Sequence, residues 1–196
     1  MLDNLHSLHV VSANVGKCHS ALLSLLSTSS ADCILVQEPA WTITPPLQSD
    51  SDLAGVPCYH ALHHPSWSFL VPPPPYVACN HGPHVMVYWY HLLPFSFSLA
   101  PIPNSYCLLG IDVSSTDFFL WIINFYHHMP THGHELRSLL DLYLPPHLPC
   151  LVAGNFNSHS HMWSLPQAHT LPWAQELEEW FLLQDLTILN PLLTLT

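Results

Sequence analysis

Cationic side chains are almost missing from this sequence. Lys17 and Arg137 are the only two in 196 residues, set against 13 acids and 17 histidines. Duplex nucleic acid is gripped chiefly through Lys and Arg contacts to phosphate, so the composition argues against strong nucleic-acid binding. Charge of either sign is scarce at 8% of residues, where about 25% is usual. No Asp, Glu, Lys or Arg occurs between Asp52 and Asp112, which makes aggregation a hazard. With 49% hydrophobic residues the chain is still no disordered polyelectrolyte. Unbroken apolar runs are lacking as well. Pro72 to Pro75, Pro83, Pro94 and several histidines interrupt the uncharged stretch, whereas a membrane span needs ~20 predominantly apolar residues in a row. Asp3, Asn4 and His6 stand where a secretory signal would carry a basic segment and an apolar core. The expectation is an intracellular protein of nucleus or cytoplasm, neither secreted nor membrane-bound. Among the six cysteines no CxxC pair occurs. Free thiols are expected, with a disulfide framework or a structural zinc site as the alternatives.

Histidine is what the chain has in place of Lys and Arg. The formal charge of -11 treats every imidazole as neutral, while the isoelectric point is about 5.8. The two agree because the histidines gain charge near pH 6. His132-Gly133-His134 and His159-Ser160-His161 are His-x-His pairs, and His6 with His9 and His81 with His84 stand three apart. Imidazoles so spaced can hold Zn²⁺ or Cu²⁺. At this density such pairs arise by chance, and no cysteine accompanies them at zinc-finger spacing, so adventitious binding is expected and no dedicated site.

The hydrophobic pattern alternates between strand and helix. Residues 8–14 read as a short strand and Lys17 to Leu26 as a helix. Cys33 to Val36 read as a strand buried on both faces, ending in Gln37-Glu38-Pro39. A strand-helix-strand opening indicates an α/β protein. Residues 42–57 read as a loop, and Pro72 to Pro75 as an extended linker. Strands are predicted at Trp67 to Val71, Val85 to Tyr90, Cys107 to Val113 and Phe118 to Tyr126. Gly133 to Leu144 should form a helix with Leu136, Leu139, Leu140 and Tyr143 on one face. Pro149 to Ala153 should form a buried strand, and Pro172 to about Gln184 a helix with Trp173, Leu177, Trp180 and Phe181 inward. A last short strand is predicted at Leu186 to Leu189. No linker divides the chain, so residues 1–196 are expected to be one domain of packed sheets with helices outside.

Asn14, Glu38 and the pair Asn155/Asn157 fall at the C-terminal ends of predicted buried strands, where ligand sites of α/β folds collect. A carboxylate and carboxamides there could hold a hard cation such as Mg²⁺, although Asn and Glu at strand ends are also common turn formers. Ser12-Ala13-Asn14, Leu35-Val36-Gln37-Glu38-Pro39, Ile122-Ile123-Asn124-Phe125-Tyr126 and Gly154-Asn155-Phe156-Asn157-Ser158-His159 occur in this order along the chain. Together they resemble the endonuclease/exonuclease/phosphatase domain, in the branch found in non-LTR retrotransposons, over about residues 6–190. The resemblance implies a four-layer α/β sandwich of two mixed sheets flanked by helices. It also implies a Mg²⁺-dependent (Mn²⁺ possible) phosphodiesterase acting ancestrally on DNA. Glu38 and Asn14 would hold the metal, and Tyr126, Asn157 and His159 would match active-site residues.

Two positions depart from the family pattern. The family has Gly-Asp-Phe-Asn, whose aspartate deprotonates the attacking water; Asn155 stands there and cannot accept that proton. Members also close with a Ser-Asp-His block, which the sequence up to Thr196 does not contain; its lack would leave the sandwich short of its last strands, with apolar surface exposed. Asp to Asn and Arg to His are both single G-to-A changes, as expected of a decaying retrotransposon copy. The alternative to an enzyme is therefore a non-catalytic remnant or binding module.

Overall fold

The computed structural model describes residues 7–44, 58–73, 82–128, 134–160, 162–163 and 172–189. Strand β1 (Val10–Asn14) leads into helix α1 (His19–Thr28), which returns the chain to β2 (Cys33–Gln37), parallel to β1. A separate antiparallel ribbon follows, made of β3 (Thr42–Thr44) and β4 (Cys58–His60). Strands β5 (Trp67–Leu70) and β6 (Val85–Tyr90) then complete a first sheet of order β1-β2-β6-β5. Strands β7 (Ser96–Leu99), β8 (Leu108–Ser114) and β9 (Phe119–Tyr126) run as an antiparallel meander. After helix α2 (His134–Leu140), β10 (Cys150–Asn155) adds in parallel beside β9, and helix α3 (Pro172–Leu183) follows. The second sheet has the order β10-β9-β8-β7.

Period-2 alternation decides what each strand faces. Cys33 and Leu35 of β2 and Val85 and Val87 of β6 meet Leu109, Ile111 and Ile122 of the second sheet in a core between the sheets. The alternate residues Ile34, Val36, Met86 and Tyr88 face outward, under Leu22 and Leu26 of α1. On the far side Leu108, Ile123 and Phe125 lie under Leu136, Leu139, Leu177 and Trp180 of α2 and α3. Helix, sheet, sheet and helix make the four-layer α/β sandwich that the sequence resemblance implies. Every residue of β2 is buried because both of its faces are covered, each apolar one contributing roughly 1.5–3 kcal/mol.

A polar clamp crosses the central layer. Gln37 Nε2 donates to Asn124 Oδ1 at 2.6 Å. Asn124 Nδ2 in turn donates to the carbonyls of Val36 at 3.1 Å and Met86 at 2.9 Å. Both carboxamides are fully buried, so each bond replaces one to water that folding has removed.

Several expectations need correction. In the segment 42–57, Thr42–Thr44 is strand β3 and not loop, while 45–57 lie outside the described residues; β4 and β7 are not marked by the sequence pattern. These strands are three or four residues long and their alternation is too brief to stand out. Helix α2 ends at Leu140, short of Leu144, because Pro145 and Pro146 follow and the residue before a proline disfavours helical backbone. Tyr143 is consequently exposed, while Leu142 and Leu144 turn inward. Leu186 to Leu189 is not a strand among the described residues. Within Pro72 to Pro75, Pro74 and Pro75 lie outside the described residues. Strand β10 is the outermost described strand of its sheet, and an apolar groove of about 600 Å³ runs along it, lined in part by Leu148, Val152, Phe156, Phe181 and Leu186. Among the described residues no helix is long and apolar enough to cross a membrane.

Replacing Asn124 with Leu should leave the buried Gln37 amide without its shortest bond. We expect a loss of about 1–3 kcal/mol, read as a lower urea midpoint with an unchanged denaturant slope.

Candidate functional site

The parallel pairs β1/β2 and β9/β10 end at the same edge of the sandwich, and the polar residues singled out in the sequence stand there. Asn14 closes β1, Glu38 follows β2, Tyr126 closes β9 and Asn155 closes β10. Alternation aims them alike. Asn14 pairs with Gln37, which points between the sheets, and Asn155 pairs with Tyr126, which does the same. Residues far apart in sequence are thus delivered to one seam.

Main-chain bonds stitch that seam. Lys17 N–H donates to the Glu38 carbonyl at 2.7 Å and Glu38 N–H to the His84 carbonyl at 2.8 Å. His84 N–H donates to the Tyr106 carbonyl at 2.6 Å, which carries the network from the first sheet to the second. Three residues here hold left-handed backbone without being glycine: Lys17 (φ 58°), Glu38 (φ 48°) and Asn157 (φ 44°). Such conformations cost of order 1–3 kcal/mol each and cluster at functional sites. Gly154, at φ 144°, is required for another reason: a Cβ there would stand 1.9 Å from the Phe125 carbonyl oxygen.

The side chains interlock. The buried Tyr126 hydroxyl lies near the Glu38 carboxylate and the Asn157 carboxamide. Burial, and then the Glu38 charge, push its pKa well above that of an ordinary phenol, so it stays a proton donor. Asn14 Oδ1 accepts from Gly16 N–H at 2.9 Å. Asn155 Oδ1 accepts from Asn157 N–H at 3.0 Å, closing a local turn that sets the left-handed Asn157. The Asn157 amide also donates to the His127 carbonyl. Tyr126 is therefore near both Glu38 and Asn157, with Asn14 and Asn155 at neighbouring strand ends. His159, two residues further on, is exposed.

His84 enters the site unannounced, since in sequence it was only one of several closely spaced histidines. It is 8% exposed and its ring stacks on Tyr126 at 5.3 Å and 15°, with Tyr106 and His128 around it. Burial lowers its pKa and the Lys17 charge adds to that, against an opposing pull from Glu135. Glu135 is itself a buried carboxylate, accepting from Tyr106 Oη at 3.1 Å and from His128 N–H at 2.8 Å. Beside Glu38 lies a cavity of about 150 Å³, walled by Lys17, His84 and the edge-to-face pair Trp41 and Tyr59.

Among the described residues no group of three or more His, Cys, Asp and Glu is placed to hold a metal ion. His6, His81, His132 and His161 of the close-spaced pairs lie outside the described residues. Cys18, Cys33 and Cys150 are free thiols, and burial pushes Cys33 up to about 12 and Cys150 up to about 11. Cys79 lies outside the described residues.

No protein-family model and no curated protein sequence matches the chain. Among solved structures, the endonuclease domain of TRAS1, a telomere-specific non-LTR retrotransposon, superposes with a TM-score of 0.62 over 93% of this chain and 75% of that one. The chain has the fold of a retrotransposon endonuclease domain. At 14% identity the likeness is one of fold. In this endonuclease fold the seam at Glu38 is the polar end of an otherwise apolar sandwich.

The depressed pKa of His84 fixes the sign of a pH effect. Its folded pKa lies below the unfolded value of about 6.5. The stability it contributes is therefore whole above about pH 6.5 and drains as pH falls, because the unfolded chain takes up the proton first. The charged groups facing it are Lys17, Glu135, His128 and Glu38. His84→Phe should lose less of its urea midpoint than the parent between about pH 7.5 and pH 5.

Proposed function

We propose that this chain is a metal-assisted phosphodiesterase acting on nucleic acid, with Glu38 and Asn14 as the protein ligands of one Mg²⁺ or Mn²⁺. The position of Tyr126 near both Glu38 and Asn157 carries the proposal, since it brings a carboxylate, a protonated phenol and a carboxamide to one strand-end seam. The donor chemistry fits the ion. Mg²⁺ prefers oxygen ligands and is commonly held by one or two carboxylates, waters and substrate phosphates. Glu38 brings a carboxylate, and Asn14 Oδ1 keeps a lone pair beyond its bond to Gly16. When bound, the ion supplies positive charge to the scissile phosphate and the leaving oxygen.

The remaining roles belong to the chain's own groups. Tyr126, held protonated, keeps a hydrogen-bond donor at the Glu38 carboxylate and orients it. Asn157, fixed by the Asn155 turn and the His127 carbonyl, presents its amide toward the phosphate. Asn155 is a carboxamide with its oxygen committed to the turn, so it positions Asn157 and takes no proton from water. General-base assistance contributes about 10²–10⁴ in rate, so turnover should be slow. The second reading, an inert remnant of the same fold, rests on Asn155 too.

Plasmid nicking with Mg²⁺ against EDTA tests the proposal. Nicking that requires the metal and disappears in Glu38→Gln is the expected result; no nicking by folded protein would establish the remnant instead. Asn155→Asp keeps the turn acceptor and restores a base, so it should raise the metal-dependent rate by about 10²–10⁴.

A further inference from the structure

The cavity beside Glu38 has a composition that metal-assisted hydrolysis does not need. One side is ionic, with Lys17 and Glu38. The other is aromatic, with Trp41 and Tyr59, and Ile43 of strand β3 also lines it. The aromatic wall is fixed before any ligand arrives. Trp41 Nε1 donates to the Pro83 carbonyl at 2.8 Å, and Trp41 meets Tyr59 edge to face with centroids 6.5 Å apart. Gly82 packs so closely behind them that a Cβ there would lie 2.8 Å from both rings. Walls that are ordered in advance lose little entropy on binding.

Size and charge both point to a small part of a nucleic acid. About 150 Å³ is well under the ~300–1,000 Å³ of drug-sized pockets, and suits one flat ring system. Lys17 is one of the two Lys and Arg residues in the whole sequence, and the other, Arg137, sits on α2 bonded to Asp141 at 3.0 Å. A run of duplex phosphates would find one cation here, on a chain whose overall formal charge is -11. A single phosphate with an unstacked base would find a cation and an aromatic wall together.

Building on the phosphodiesterase reading of Glu38, we infer that this cavity is a subsite for one unstacked nucleobase, whose phosphate is met by the Lys17 ammonium. The preferred ligand is then single-stranded or frayed nucleic acid. A paired duplex keeps its bases stacked and out of reach. Stacking on aromatic rings is tolerant of sequence, so no strong base preference follows.

Binding of adenosine 5′-monophosphate and of ribose 5-phosphate to the full chain, measured by calorimetry without metal, tests the subsite. The nucleotide should bind about tenfold tighter than the sugar phosphate, and Tyr59→Ala should erase that difference. Ile43 is 55% exposed, so Ile43→Glu should fold normally while placing a repelling carboxylate at the cavity, and should weaken the nucleotide at least severalfold. A single-stranded thymidylate oligomer should also bind more tightly than its duplex with deoxyadenylate. Equal affinity for nucleotide and sugar phosphate, indifference to Ile43→Glu, or tighter binding of the duplex would each overturn the inference. The two readings fail separately. Tyr59-dependent nucleotide binding without metal-dependent nicking would keep the subsite and remove the catalysis, whereas metal-dependent nicking by a protein blind to the base would do the reverse.

Discussion

Two buried carboxamides hold this sandwich in register. Sheet-on-sheet packing is apolar and non-directional, and by itself would tolerate small slips between the layers. The bond from Gln37 to Asn124, with the Asn124 amide on the carbonyls of Val36 and Met86, does not tolerate them. A slip would strand at least three buried polar groups, each costing about 1–3 kcal/mol. Gln37 immediately precedes Glu38 and Asn124 lies two residues before Tyr126, so the clamp fixes the distance between the two strand ends that build the site. Positional accuracy at the surface is thus set one layer down, in a part of the core where no ligand goes.

Strain follows from the same arrangement. β2 is buried along its whole length and has to leave the sheet abruptly if a carboxylate is to reach the seam. The left-handed backbone at Glu38 makes that turn, and its N–H and carbonyl are both satisfied, by His84 and Lys17. Asn157 is similar: a left-handed residue whose turn is closed by Asn155 and whose amide is anchored on His127. Unfavourable dihedrals persist in these places because hydrogen bonds on either side over-determine them. The resulting geometry is rigid before any ligand binds.

How much of this could be read from the sequence depended on the kind of signal. β2, β6 and β9 carry long apolar runs or alternation, and they lie close to where the pattern put them. β3, β4 and β7 do not, because a strand of three or four residues takes its stability from what it pairs with. The helix expected to reach Leu144 stops at Leu140, since apolar periodicity continues through Tyr143 while the prolines behind it forbid helical backbone. Asn14, Glu38, Asn155 and Asn157 are legible as strand-end residues, and Tyr126 through the family resemblance. That Gln37 and Asn124 clamp the sheets was not, although both stand inside the motifs. His84 was invisible for a different reason. It lies next to Pro83, with no period to mark it, and only the tertiary stitch from Glu38 to Tyr106 places its ring on Tyr126.

Charge is where sequence and fold pull against each other. The fold is shared with an endonuclease domain of a retrotransposon, yet the chain has almost none of the Lys and Arg that bring such a surface to DNA. Histidine can compensate only in part. An imidazole in water is mostly neutral at pH 7, and burial of the kind seen at His84 makes it more so. At neutral pH the strand-end seam therefore has Lys17 as its one fixed cation, in a chain whose formal charge is strongly negative. Steering over a Debye length would work against a polyanion, and short-range contacts at the cavity would have to supply the affinity. Aromatic stacking and a single ammonium are contacts of that kind, which is why the small cavity beside Glu38 carries more of the functional argument than the larger apolar groove along β10.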